Sequence, residues 1–443
     1  MNCSSNSLRL IVVLMALVMF GGSLRAQEPA GGAGSTHGGI DLSPKDIAGR
    51  ASGLIAPDTK RSATRPTITP ALSRRPPRPA QPGPRPTLDA DDYNDQGNTH
   101  LKAGRYEQAL NAYKQAIRLR PDFAAAHFNL GLTYNELERY GEAVAPLQQA
   151  IRLRADYVEA HNELGYAYRY LRRYTEALEN YKLAVNLKPD YAAAWFGLGD
   201  IYFYITKHYM EAVDAYKRAL QLKPDNAAAF YNLGWSYNDL KQYDLAIEAL
   251  NNALRLKTDY AEAHNELGYA YRQLNRHTEA LNAYRQSISL KPDYASSYLG
   301  IGDVYYYNTR QYREAVEAYT RGITIDPNVA NATVLYNLGW AYNDLGQYVQ
   351  AVEPLLRAIR LKPEFAKAHV ELAYSYRHLD WLAKAVATYK QAIHLSPRFA
   401  DAHYNLGITY LYMKDRNAAL EEYNILKTIN PEQAEKLYAE INK

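Results

Sequence analysis

The 443-residue chain holds a single cysteine, Cys3. A disulfide framework or a cysteine-ligated metal is thereby excluded from the rest of the chain. Long apolar runs are missing too. Leu10 to Phe20 is an unbroken run of 11 residues, short of the ~20 that a membrane-spanning helix needs. No phosphate-binding loop, nucleophile elbow or zinc-ligand spacing occurs. A basic excess is absent from residue 90 onward. Through residue 89 there are 11 Lys+Arg and 5 Asp+Glu, which leaves 51 − 11 = 40 basic against 47 − 5 = 42 acidic residues. The body therefore lacks the positive balance expected of a nucleic-acid binder.

Aromatic residues are missing from Gly21 to Asp92, although the chain has 41 tyrosines. Two segments explain the gap. Residues 1–26 have an arginine, the apolar run and then small residues ending at Ala26. That is the layout of a secretory signal peptide, with an uncleaved membrane anchor as the rival. It places the mature protein outside the cytoplasm, as a periplasmic or secreted chain without a transmembrane span. Residues 27–89 are rich in Gly and Pro. The stretch "RPTITPALSRRPPRPAQPGPRP" at 65–86 carries eight prolines and five arginines without an acid. It cannot bury enough apolar surface to offset the entropy of ordering, and is expected to be a disordered basic linker.

From Ala90 the sequence repeats. Gly recurs at 97, 131, 165, 199, 234, 268, 302, 339 and 407, with Ala373 in the remaining place. Tyr follows three residues later in nine of ten units, Ala occupies a fixed later slot in all ten, and Pro closes eight. A fixed period near 34 residues means a solenoid. Within each unit the apolar spacing is helical, as in Leu267, Ala270, Tyr271 and Leu274 followed by Ala280, Leu281, Tyr284 and Ile288. Mid-helix glycine costs ~1 kcal/mol relative to alanine, so its recurrence points to close packing of paired helices. Pro146 and Pro354 fall inside second helices and are expected to bend them.

These residues resemble the tetratricopeptide repeat. The resemblance covers roughly residues 90–443. It implies an all-α, right-handed superhelical solenoid of about ten helix-turn-helix repeats. The units start at 90, 124, 158, 192, 227, 261, 295, 332, 366 and 400, the array runs over 90–433, and a capping helix fills 434–443. The nine residues "HNELGYAYR" at 161–169 return at 264–272, and "HVELAYSYR" stands at 369–377. The spacing of 264 − 161 = 103 residues is three units, so the array is a copied triplet. His161, His264 and His369 then occupy a packing slot, because ligands one copy per triplet cannot converge on a metal.

In the family, first helices line the concave face, with solvent-facing slots two, five, nine, twelve and thirteen residues into each unit. The ninth slots include Tyr166, Asp200, Trp235, Tyr269, Asp303, Trp340 and Tyr374. The twelfth include Arg169, Asn238, Arg272, Asn343 and Arg377, and the thirteenth Tyr170, Tyr204 and Tyr307. Exposed aromatics and arginines in a groove are typical of contact sites. The expected function is a non-catalytic scaffold or adaptor, without cofactor or metal, that binds an extended protein or peptide segment there. A glycan-binding groove is the alternative, since Tyr and Trp faces also stack on sugar rings. Each Arg-Tyr pair is expected to touch ligand. The competing possibility is that Arg169 and Arg272 merely pair with Asp200 and Asp303, and in either case Arg272→Ala is expected to alter folding little. The family's carboxylate clamp needs Lys at the fifth slot, and none is present there.

Overall fold

The computed structural model describes residues 88–443. The proposed signal peptide at 1–26 and the linker at 27–89 lie outside the described residues, except for Leu88 and Asp89. The described chain is all-α: 21 helices form a right-handed superhelical solenoid of ten helix pairs and a final single helix. First helices start at residues 90, 124, 158, 192, 227, 261, 295, 332, 366 and 400. Asp89 caps the first of them, accepting a hydrogen bond from the Asp92 amide while the Asp92 carboxylate accepts from the Asp89 amide.

Most recurring glycines face a side chain of the second helix too closely for a Cβ. A Cβ on Gly302 would lie 2.5 Å from the Tyr319 ring, and one on Gly199 2.6 Å from the Tyr216 ring. Leucine plays the same part in the opening unit of each triplet: a Cβ on Gly131 would lie 2.5 Å from Leu147. What fills the space is thus a ring or isobutyl group lying on bare helix backbone. The ten alanines of the later slot are fully buried beside it.

Second helices end at the same place whether or not proline follows. Leu187 ends one before Pro189 and Leu153 ends another before Ala155. In both, the next residue is extended, which is the conformation a following proline favours but does not alone impose. The helices Tyr140–Leu153 and Tyr348–Leu361 continue through Pro146 and Pro354. The last helix, Pro431–Ile441, starts three residues before the expected 434, with Asn430 as its cap. Its Leu437 takes the place of the second-helix side chain over Gly407, 2.6 Å from a would-be Cβ.

The longer units four and seven absorb an extra residue inside the first helix. Ala192–Asp200 runs into a π-helix at Ile201–Thr206, and Ala295–Asp303 into another at Val304–Thr309. Widened turns of this kind commonly take up an insertion. They set Phe203 and Tyr306 against the next unit's Trp235 and Trp340, with ring centres 4.9 and 5.5 Å apart.

Gly302→Ala is predicted to destabilise the array by about 1–3 kcal/mol, the usual effect of overpacking. Repeat stability is close to a nearest-neighbour sum, so faster hydrogen exchange should centre on units six to eight. Unchanged exchange there would contradict the ring-on-glycine contact.

Candidate functional site

The fourth residue of several units closes the turn before it. The ring N–H of His161 donates to the Ala155 carbonyl at 3.2 Å, and that of His369 to the Pro363 carbonyl at 3.1 Å. Trp195 donates to Pro189 at 2.9 Å and the Tyr298 hydroxyl to Pro292 at 3.2 Å. Histidine, tryptophan and tyrosine share this slot because each carries a donor at similar reach on an apolar ring. No group of residues suited to a metal occurs among the described residues.

The inner face differs from the expected open groove. Trp235 and Tyr269 are each 8% exposed, and Asp200, Asn238, Arg272 and Asn343 are buried. Tyr166, Arg169, Tyr204, Asp303, Trp340, Tyr374 and Arg377 are half-buried. Of the candidate residues only Tyr170 and Tyr307 are exposed. Slots nine and twelve are therefore largely packing positions between neighbouring first helices. Asparagine at slot twelve grips the next unit. The Asn238 amide donates to both the carbonyl and the carboxylate of Glu266 at 3.1 Å, and Asn343 donates likewise to Glu371 at 3.0 Å.

The arginines are engaged in the same way. Arg169 donates to Asp200 at 2.8 Å, and the other oxygen of that carboxylate accepts from the Tyr216 hydroxyl at 2.8 Å. Asn232 donates to the Tyr216 oxygen at 3.1 Å and accepts from the Tyr204 hydroxyl at 3.0 Å. The second copy repeats the plan: Arg272 meets Asp303 at 3.4 Å, and Tyr319 donates to Asp303 at 2.7 Å. Burial and the facing carboxylates push the Tyr216 and Tyr319 phenols well above their ordinary range, so both remain donors. Burial opposes the charge on Arg169, but Asp200 outweighs it and holds the pKa above the ordinary value. The expectation that Arg272→Ala alters folding little is thus corrected, because the pair is not an exposed one.

The third copy breaks the plan. Ile408 stands where Asp200 and Asp303 stand in the others. Arg377 has no carboxylate partner among the described residues, its Nε is buried without a hydrogen bond, and it lies over Tyr374 and Tyr412. Next to it a cavity of about 400 Å³ opens between the first helices of units eight, nine and ten, Ala332–Asp344, Ala366–His378 and Ala400–Tyr412. Tyr336, Trp340, Tyr374 and Phe399 give it apolar walls, and Glu371, Asp401, Asp344 and Lys367 give it charge. Of these only Trp340 and Tyr374, with Asn343, were candidates from the sequence. Tyr336, Glu371 and Asp401 were missed. The available signal was Asn405 and Ile408, which replace the Gly197/Gly300 and Asp200/Asp303 of earlier triplets.

Residues 97–308, in overlapping copies, and 381–414 match the profile of the TPR repeat. Tetratricopeptide repeat profiles also match 299–364, 336–397 and 400–433. The chain belongs to the tetratricopeptide repeat family, whose members generally mediate protein–protein interactions. Among solved structures it is similar to YrrB, described as a TPR protein with an unusual peptide-binding site, at 26% identity and a TM-score of 0.41, over 44% of this chain and 98% of that one. It is similar to MamA at 25% identity and a TM-score of 0.34, over 37% of this chain and 94% of that one. The Pseudomonas aeruginosa pilF protein is similar at 21% identity and a TM-score of 0.40, over 48% and 97%. Curated protein sequences contain no match.

Two predictions follow from these contacts. Asp200→Ala removes the buried carboxylate that accepts from Arg169 and Tyr216 and should cost about 3–5 kcal/mol in urea unfolding, as breaking a buried pair does; a loss below 1 kcal/mol would contradict the assigned network. Burial, opposed by the Asn343 hydrogen bond and reinforced by Asp401, pushes the Glu371 carboxyl from 4.5 up to about 7. Such an acid binds its proton more tightly when folded, so its stabilising effect is full at low pH and is lost as pH rises from 4.5 through 7. Glu371→Gln should therefore lessen the fall in melting temperature between pH 5 and 8, and an identical fall would refute the burial of this charge.

Proposed function

We propose that this protein is a non-catalytic interaction scaffold that binds an extended segment of a partner protein at units eight to ten. One observation supports the reading most: Trp340 and Tyr374 line a cavity, whereas their second-triplet counterparts Trp235 and Tyr269 are packed away. A concave site of this size in which aromatic faces and convergent polar groups meet is a candidate ligand site. Tyr412 stands 65% exposed on the same first helix as Asp401 and extends the apolar surface. The signal-like residues 1–26 place this binding outside the cytoplasm in our proposal.

Affinity capture with the tagged full chain tests it. Trp340→Ala combined with Tyr412→Ala should reduce the captured partner fivefold or more, while Tyr170→Ala in the first triplet should leave it unchanged. Equal loss from Tyr170→Ala, or none from the double variant, would move the site elsewhere. Retention on envelope glycans with no captured protein would favour the sugar-binding alternative.

A further inference from the structure

The cavity is more than a widened copy of the groove, because its chemistry has changed as well as its shape. In the first triplet Glu163 is held by two amides: Asn135 donates to Oε2 at 3.0 Å and Asn162 to Oε1 at 3.2 Å. In the second triplet Asn238 and Asn265 hold Glu266 in the same way, at 3.1 and 3.3 Å. In both of those carboxylates each oxygen accepts from a side-chain amide. In the third triplet Asn343 keeps its place, but Val370 stands where Asn162 and Asn265 stand. Oε1 of Glu371 accepts no hydrogen bond among the described residues, and Glu371 lines the cavity. Glu371 is half-buried, and an unbonded carboxylate oxygen on a cavity wall is open to a donor brought by a ligand.

Three more changes converge on the same place. Asp401 replaces Ala193 and Ser296, adding a second carboxylate to the cavity wall. Asn405 replaces Gly197 and Gly300, which in the earlier triplets leave room for the rings of Tyr181 and Tyr284. Aromatic faces meanwhile remain: Trp340 and Tyr374 line the cavity, where their counterparts Trp235 and Tyr269 are packed away. The result is two carboxylates between flat aromatic walls: Glu371, whose Oε1 is unbonded among the described residues, and the exposed Asp401, which accepts from the Gln433 amide through Oδ1 at 2.6 Å and offers Oδ2.

We propose that the cavity recognises an arginine side chain on the extended segment of the partner protein, Glu371 and Asp401 accepting from its guanidinium while the aromatic walls flank its plane. A planar cation with several donors suits this site better than a compact ammonium, since it can reach both carboxylates and stack at once. The inference rests on the scaffold reading and names the chemistry of its ligand. Other titratable groups facing Glu371 are the phenols of Tyr306, Tyr336, Tyr374 and Tyr389, all held neutral by burial, together with Asp344 and Lys367 at the cavity wall. Within that set Glu371 is the carboxyl poised to lose its proton near neutrality. Arginine binding should therefore strengthen from pH 6 to pH 8.

The test is a titration of the full chain with capped, fluorescently labelled seven-residue peptides of alanine and serine carrying arginine, lysine, citrulline or glutamate at the centre, read by anisotropy at constant salt. The arginine peptide should bind at least tenfold more tightly than the citrulline peptide, more tightly than the lysine peptide, and several-fold more tightly at pH 8 than at pH 6. Glu371→Gln, which keeps an acceptor for Asn343, and Asp401→Asn should each weaken it about tenfold, with the pH dependence gone in the first. Val370→Asn, which restores the second amide of the earlier triplets, should weaken it as well. Glu163→Gln, at the equivalent position of the first triplet, should have no effect, and melting curves should show every variant folded. Equal binding of the arginine and citrulline peptides, preference for glutamate, or no binding by any peptide would overturn the arginine site. In each of those outcomes, a partner captured in a Trp340- and Tyr412-dependent way would leave the scaffold reading standing.

Discussion

The array depends on a side chain lying against bare backbone. In nearly every unit a tyrosine or leucine from the second helix rests on a glycine of the first, at a distance that leaves no room for a methyl group. That contact sets how closely paired helices approach. It also explains why a residue unfavourable to helices persists in the middle of them. Some rings serve two units: Tyr181 lies against both Gly165 and Gly197, and Tyr284 against both Gly268 and Gly300. Such a ring joins a unit to the next as well as closing its own pair. The third triplet loses both glycines of that clasp, to Ala373 and Asn405, and this is where the inner face opens.

Polar side chains follow the same logic of copying and departure. The first two triplets bury an Arg–Asp–Tyr network and an Asn–Glu grip, each bonded mainly within the array, although Asn135 Oδ1, Asn238 Oδ1 and Arg272 Nε are buried without a hydrogen bond. Buried polar groups of this kind specify register, because a shifted neighbour would leave them unpaired. The third triplet keeps Arg377, Asn343 and Glu371 but drops Asp, Asn and Gly partners around them. What was internal bonding capacity in the first two copies is left facing a cavity in the third. A binding site can arise in this way from a structural network that has lost members.

Much of the fold was legible because the repeat carries its own physics. Glycine, alanine and proline at fixed intervals marked the paired helices, and the 103-residue spacing of His161 and His264 exposed the triplet. The hydrogen bonds that the fourth-slot histidines His161 and His369 make across the inter-repeat turn were not foreseen. The candidate groove was less legible. Slot positions report the direction of a side chain from its helix, whereas burial depends on how near the next first helix comes. Trp235, Tyr269 and Arg272 were expected to face solvent and are covered by their neighbours. The π-turns were hidden for a similar reason: one extra residue in a unit does not say whether a loop or a helix absorbs it.

Oxidative footprinting of the full chain with hydroxyl radicals, resolved residue by residue by mass spectrometry, tests the central claim most directly. It compares the same three aromatic positions in two triplets of one molecule. Tyr336, Trp340 and Tyr374 should be modified several-fold faster than Tyr231, Trp235 and Tyr269, whose exposure is 5%, 8% and 8%. Equal rates in the two triplets would mean that the third copy is packed like the second, and that no cavity opens at the end of the array.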